Sequence, residues 1–389
     1  MGNKLEKLRK IKDRMRDELF IFKHAHLVKA MIESTEDDLV NKEECDEHSI
    51  SIAFRPTGGF GDYIISSKLL DELLELVPCH IFVFCENVTF GHAVYDGRKN
   101  TSVLPINTFY SQMWKYDLAL TVEHFVHIER MNANKIARIS PAFMDKLNKL
   151  ERSYKTYYPE IQQQWFREAM HFKRCEYKGI NRWTELRHEG VFKIENQKTW
   201  IPLREEFYQR FVELGLENKR YITLNRGADS MGRSKMQTKV WPLEHYNHFV
   251  TLFREKYPDI AIIQVGASGN TKIEGVDQVI FGESLEVTKW ILKNSMLHLD
   301  CEGGLVHLAT QFDTKCAVIF GPTPKHFYEY PQNINIVYEG CNNCMGTHPD
   351  WAFECFKGLA EPECMYKVTA EIVMKHIADH MDALEHMEG

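Results

Sequence analysis

The chain has 389 residues, of which 44% are apolar, 12% aromatic and 26% charged. That balance can bury large cores and excludes a disordered chain. The length exceeds the roughly 250–300 residues at which a single core stops growing, so two domains are expected. A net charge of −7 excludes a whole-chain basic footprint for nucleic acid, and no run reaches the ~18 apolar residues of a membrane span.

The start, Met1-Gly2-Asn3-Lys4-Leu5-Glu6, runs straight into mixed charge. It offers no apolar stretch for a secretory signal and no Ser or Thr at position six for myristoylation, so a cytoplasmic chain with at most peripheral membrane contact is expected. Leu5, Leu8, Ile11, Met15, Leu19 and Phe22 recur at helical spacing. They predict a helix over 4–32 whose apolar face packs on the body or forms a seam with a second copy. An acidic linker follows, so residues 1–45 read as an extension.

Strand 49–54 ends in Arg55-Pro56-Thr57-Gly58-Gly59-Phe60-Gly61-Asp62 and leads into a helix over 63–77 and a strand over 80–85. Strand, glycine turn, helix, strand is a βαβ unit and hence parallel sheet. Another strand is read at 116–121. Residues 131–200 are rich in charge and aromatics and read as helix and loop without a resolved order.

A second series begins with the strand 221–225. Helix 244–257, strand 260–265, helix 285–294, strand 296–300, helix 305–311 and strand 315–320 follow. The fold class is therefore α/β, with two doubly wound domains, 46–200 and 201–367, facing a cleft where ligands of open sheets bind. A final helix is read over 368–389.

Three turns carry candidate chemistry. In the first, Gly59 and Gly61 allow close backbone approach at a helix N-terminus. Asp62 at that point would repel a phosphate, and fits either a base or the cap of the helix. In the second, Asn225-Arg226-Gly227-Ala228 is followed by Lys239-Val240-Trp241-Pro242. Pro242 suits a first helical turn, and Lys239 would sit outside the carboxyl end of the sheet as a point charge for a diphosphate. Arg226, Arg233 and Lys235 add local positive charge to an acidic chain; a solvated basic loop is the plainer alternative.

In the third, Asp300-Cys301-Glu302-Gly303-Gly304 opens a helix carrying His307. Glu302 can accept from two ribose hydroxyls while the Gly303 and Gly304 amides face a diphosphate. His307 either faces the ligand or is a satisfied structural residue. Gly266, closing its strand, and Phe320-Gly321-Pro322-Thr323 lie at the same sheet edge, and Trp241, Gly266 and Thr323 join the candidate nucleotide-sugar contacts.

The order of these motifs resembles the glycosyltransferase family 9 heptosyltransferases of bacterial lipopolysaccharide assembly over roughly residues 49–370. The residues that carry it are Gly61-Asp62, Gly227-Ala228, Lys239-Val240-Trp241-Pro242, Glu302 to Ala309 and Phe320 to Thr323. The resemblance implies a GT-B fold and inverting transfer of a sugar from a nucleotide sugar. Asp62 would be the general base and Lys239 would stabilise the leaving diphosphate, with no metal needed at the chemistry; the sequence has no Asp-x-Asp motif. ADP-heptose is the leading donor. A saccharide, a lipid-linked saccharide or a protein is the implied acceptor. Glu302 stands where the family has Asp and Gly303 where it has Ser or Thr, which leaves another nucleotide-sugar donor open. A non-catalytic sugar- or nucleotide-binding subunit would have no use for Asp62. A Rossmann dehydrogenase would need a further glycine where Ile64 stands.

Of ten cysteines, six are scattered (Cys45, Cys79, Cys85, Cys175, Cys301, Cys316) and read as core fillers. Cys341, Cys344, Cys355 and Cys364 are spaced C-x2-C-x10-C-x8-C, with Gly340, Gly346 and Pro349 for tight turning. Four soft thiols so close predict a structural zinc or iron site with no open position, against the alternative of free thiols or a disulfide. In the protein-modifying members of the family a similar set looks like an iron site. The resemblance also implies that the last helix crosses back to the first domain.

Overall fold

The computed structural model describes residues 47–161, 168–227, 238–348 and 350–387. The expected N-terminal helix and most of its linker, with Ala228, Arg233, Lys235 and Pro349, lie outside the described residues. The first sheet has the order β3-β2-β1-β4-β5 and the second β11-β10-β9-β6-β7-β8. All neighbours are parallel except β4 and β5, which makes this the doubly wound α/β architecture expected.

In the first lobe, β1 (Ile50–Pro56) pairs with β2 (Cys79–Cys85) and β4 (Leu118–Val122). β1, β2 and β4 are buried almost throughout, as the near-continuous apolar runs of parallel strands require. The edges are β3 (Thr101–Pro105) and β5 (Val126–Met131), both half-exposed. Helix α1 (Phe60–Leu76) begins inside the glycine turn, a few residues before the expected start, because Asp62 closes its first turn. Helix α2 (Glu168–Lys178) and the loop to residue 200 bridge the two lobes, with Trp183, Leu186, Phe192 and Ile194 in the first lobe's core. Arg182 N–H donates to the Phe327 carbonyl at 2.8 Å, and Thr199 N–H donates to Gln311 Oε1 at 2.8 Å.

The second sheet carries β6 (Tyr221–Asn225), β7 (Ala261–Gly266), β8 (Gln278–Phe281), β9 (His298–Cys301), β10 (Cys316–Phe320) and β11 (Ile334–Val337). Its helices include α3 (Leu243–Lys256), α4 (Leu285–Lys293), α5 (Gly304–Gln311) and α6 (Lys325–Tyr328). One apolar core runs through both lobes: Ile64, Ile65 and Leu69 of α1 join Val306, Leu308 and Ala309 of α5 in a single buried cluster.

The last helix, α7 (Ala370–Met387), corrects an expectation. It packs on α3 within the second lobe instead of crossing to the first. Val373, Ile377 and Met381 are fully buried in that lobe's core, and Asp382 accepts from Tyr257 Oη at 2.6 Å. No helix among the described residues is long and apolar enough to cross a membrane.

Candidate functional site

The turn after β1 is built around its carboxylate. Gly58 has φ +93°, and a Cβ there would lie 2.3 Å from Asp62 Oδ2. Glycine is thus required both for the left-handed backbone and for the room. Asp62 Oδ2 accepts from the Gly59 N–H at 2.9 Å, capping α1. Asp62 Oδ1 accepts from Arg182 Nη2 at 2.8 Å and Nε at 3.2 Å. The side chain stays 31% exposed, against 2% for Arg182. Asp62 is therefore a cap and a solvent-reaching carboxylate at once.

The two glycine turns meet. A Cβ on Gly61 would lie 2.4 Å from Cδ2 of His307, and one on Gly304 would lie 3.0 Å from Cβ of Phe60. The N-terminal ends of α1 and α5 thus touch across the lobes, bringing Asp62 and the Glu302 turn to one corner. Half-buried Tyr328 of α6 feels both: burial raises its hydroxyl pKa well above the usual value, and the Glu302 and Asp62 charges push it further.

On the second lobe, Lys239 Nζ donates to Glu302 Oε2 at 2.8 Å, and His307 Nε2 lies 3.5 Å from Glu302 Oε1. Burial opposes the charged form of Glu302, yet Lys239 and His307 hold its carboxyl down at about 2. His307 Nδ1 is bonded to Tyr330 Oη at 2.7 Å, which orients the ring. The space beside Gly303, at the N-terminus of α5, is open apart from the Cys301 carbonyl at 3.8 Å.

Around that corner the other residues singled out in the sequence take different places. Asn225 Nδ2 donates to buried Asp300 Oδ2 at 2.8 Å, tying β6 to β9. Gly227 and Gly266 both abut the Asn270 side chain, with a Cβ on either 2.5 Å from its Nδ2. Asn270 escaped sequence reading because it follows a loop with no motif. Arg226 is half-buried, and its Nε has no hydrogen-bond partner among the described residues. Thr323 is buried at 1% exposure. Trp241 departs from its expected place at the ligand: its indole is fully buried in the second core, and Nε1–H donates to the Val368 carbonyl at 2.6 Å. The indole holds the chain beneath Lys239.

Cys341, Cys344, Cys355 and Cys364 are free thiols lining one pocket with Thr238, Pro322 and Lys357. Burial, and then the other cysteines, push Cys344 up to about 11 and Cys364 to about 12. The loop also braces the Lys239 segment, since Thr238 Oγ1 donates to the Trp351 carbonyl at 2.7 Å.

No protein-family model matches the sequence, and no curated protein matches it. Solved structures do. The glycosyl transferase family 9 structure from Veillonella parvula superposes with TM-score 0.55 at 14% identity, covering 87% of this chain and 99% of that one. E. coli ADP-heptose lps heptosyltransferase II gives 0.51 at 11% identity, covering 86% and 100%. The dodecameric iron-containing heptosyltransferase TibC in complex with ADP-D-beta-D-heptose gives 0.52 at 10% identity, covering 87% and 77%. The chain has the heptosyltransferase fold. Asp62 stands on the first lobe and Lys239 on the second.

Proposed function

We propose that the chain is an inverting glycosyltransferase. It moves a sugar, with ADP-heptose the leading donor, onto a hydroxyl of a saccharide, a lipid-linked saccharide such as a lipopolysaccharide precursor, or a protein, in the cytoplasm. The observation that carries this reading is the meeting of Asp62, on the first lobe, with the Lys239–Glu302 pair on the second, through the Gly61–His307 contact.

Asp62 takes the proton of the acceptor hydroxyl as its oxygen attacks the anomeric carbon from the face opposite the nucleotide. The bond from that carbon to the diphosphate oxygen breaks, and Lys239 neutralises the charge that grows on the leaving group. Arg182 holds Asp62 in place; the exposed part of the carboxylate is left for the acceptor. Glu302 accepts from ribose hydroxyls, and the amides of Gly303 and Gly304 and the positive end of α5 receive the diphosphate. Gly59 lets the acceptor approach the backbone, whereas Gly61, expected to do the same, makes room for the His307 ring. Asn225, Gly227 and Gly266 shape the nucleoside side, and Arg226 adds charge there.

The cysteine loop is assigned a structural zinc or iron on the chemistry of its donors, four soft thiols lining one pocket, although their sulfurs do not gather within 4.8 Å of one another and a metal would have to draw them in. Burial and the neighbouring cysteines disfavour ionisation of Cys344 and Cys364, a repulsion that a cation removes. Cys341, Cys344, Cys355 and Cys364 would hold it, and it would cross-link the loop that braces Thr238.

The test is a thermal-shift panel of nucleoside diphosphates and then transfer from a labelled nucleotide sugar. Stabilisation by one nucleotide is expected, with transfer abolished and nucleotide binding kept in Asp62→Ala. If no nucleotide stabilises the protein, or if Asp62→Ala loses nucleotide binding instead of transfer, the reading fails.

A further inference from the structure

A second constellation lies behind Arg182, outside the proposed sugar-transfer chemistry. His124 comes from the turn between β4 and β5, His171 from α2, and Glu185 from the short helix Thr184–Arg187. One ligand atom from each falls in a group whose members all lie within 4.8 Å of one another. His124 Nδ1 is 3.0 Å from Glu185 Oε1, and His171 Nε2 is 3.0 Å from Glu185 Oε2. We propose that His124, His171 and Glu185 form a binding site for a divalent transition metal of the zinc class.

Four features support it. Two imidazoles and a carboxylate are a donor set that suits zinc and its neighbours, and three protein ligands leave a fourth position for water or another donor. Next to the group, Cys175 stands one helical turn from His171, with Sγ 3.4 Å from Nε2, though it lies outside the three-residue set. The supporting contacts are those a metal site requires. The far nitrogen of His124, Nε2, lies 3.4 Å from Glu168 Oε1, a carboxylate–histidine pair that fixes the ring, while Arg182 Nη1 donates to Glu185. Finally, the surroundings are dry. The rings of Phe125, Phe172 and Phe327 pack on the two imidazoles, and the side chain of Glu185 is 3% exposed.

The site sits one residue behind Asp62, because Arg182 bonds both carboxylates. A bound metal would lock Glu185 and hence the guanidinium that holds Asp62. It would act by positioning, with no ligand atom at the reacting centre.

The experiment reads metal binding alone, so its outcome is separate from any result on sugar transfer. The full-length chain carrying Cys341→Ser and Cys344→Ser, which disables the cysteine loop, is stripped with a chelator and titrated with Zn²⁺ and Co²⁺. About one equivalent is expected to bind, and His171→Asn in the same background should weaken it about ten-fold or more. Should that variant not fold, Glu168→Gln, which removes only the partner of His124 Nε2, serves instead and should weaken binding about ten-fold. Absence of binding in the parent, or equal affinity in a folded His171→Asn or Glu168→Gln variant, overturns the proposal.

Discussion

Lys239 Nζ and Glu302 Oε2 form a 2.8 Å ion pair with Glu302 almost wholly buried. The two groups proposed to hold a nucleotide thus already hold each other. Glu302→Ala would leave Lys239 without its partner and remove the contact to His307. Because Lys239 is 23% exposed and can turn to water, the loss in unfolding free energy should be modest, about 1–3 kcal/mol. Binding of ADP should weaken in Lys239→Ala with little change in stability. Isothermal titration with ADP and denaturant melts of both variants separate the two effects; unchanged ADP affinity in Lys239→Ala would remove Lys239 from the site.

Gly61→Ala should be poorly tolerated. The new methyl would meet Cδ2 of His307 at 2.4 Å, and His307 is held by Tyr330 and Glu302. Relief requires moving the ring or spreading α1 from α5, with a cost of about 1–3 kcal/mol. Combining it with His307→Ala should recover part of the loss. Thermal unfolding of the single and double variants measures this coupling.

Acid should weaken the fold through His188. The ring is buried, and its Nε2 accepts from the Val126 N–H at 3.0 Å. Burial lowers its pKa to about 4, against the opposing pull of Glu185. The unfolded chain has the ordinary value of about 6.5. Between those values the unfolded state binds more protons, so this contribution is complete above about 6.5 and is lost as the pH falls toward 4. His188→Gln keeps an acceptor for Val126 without titrating. Its stability should fall less than that of the parent between pH 7 and pH 4 in chemical denaturation; parallel curves would refute the assignment.

Removal of the metal proposed for the cysteine loop should reach the proposed nucleotide site. Thr238 is held by the Trp351 carbonyl and adjoins Lys239. Chelation should therefore lower the melting temperature and weaken ADP binding together, and Cys341→Ser should show both without chelator. A lower melting temperature with unchanged ADP affinity would confine the loop to stability.

The central strands and helices were legible because their residues are buried on both faces and read as apolar runs, as in Ile260 to Val265 or Lys315 to Phe320. The edges β3, β8 and β11 were not, since they are short and half-exposed and carry no strong period. Asp62 and Lys239 stood out by their glycine and Trp-Pro settings. Arg182, which holds Asp62 from 120 positions away, has no local signal at all. Its role arises only when the loop after α2 folds back over both lobes. Trp241 misled for the opposite reason: the local Lys-x-Trp-Pro pattern is real, but the indole serves the packing beneath the lysine. The His124–His171–Glu185 group likewise joins residues 47 and 14 positions apart and no motif links them.

The fit of Gly61 against His307 and of Phe60 against Gly304 has a mechanical consequence. The ends of α1 and α5 touch there and their apolar residues share one buried cluster, so the two lobes are joined at this corner by packing as well as by the chain, and a side chain that widens one end must be met by the other.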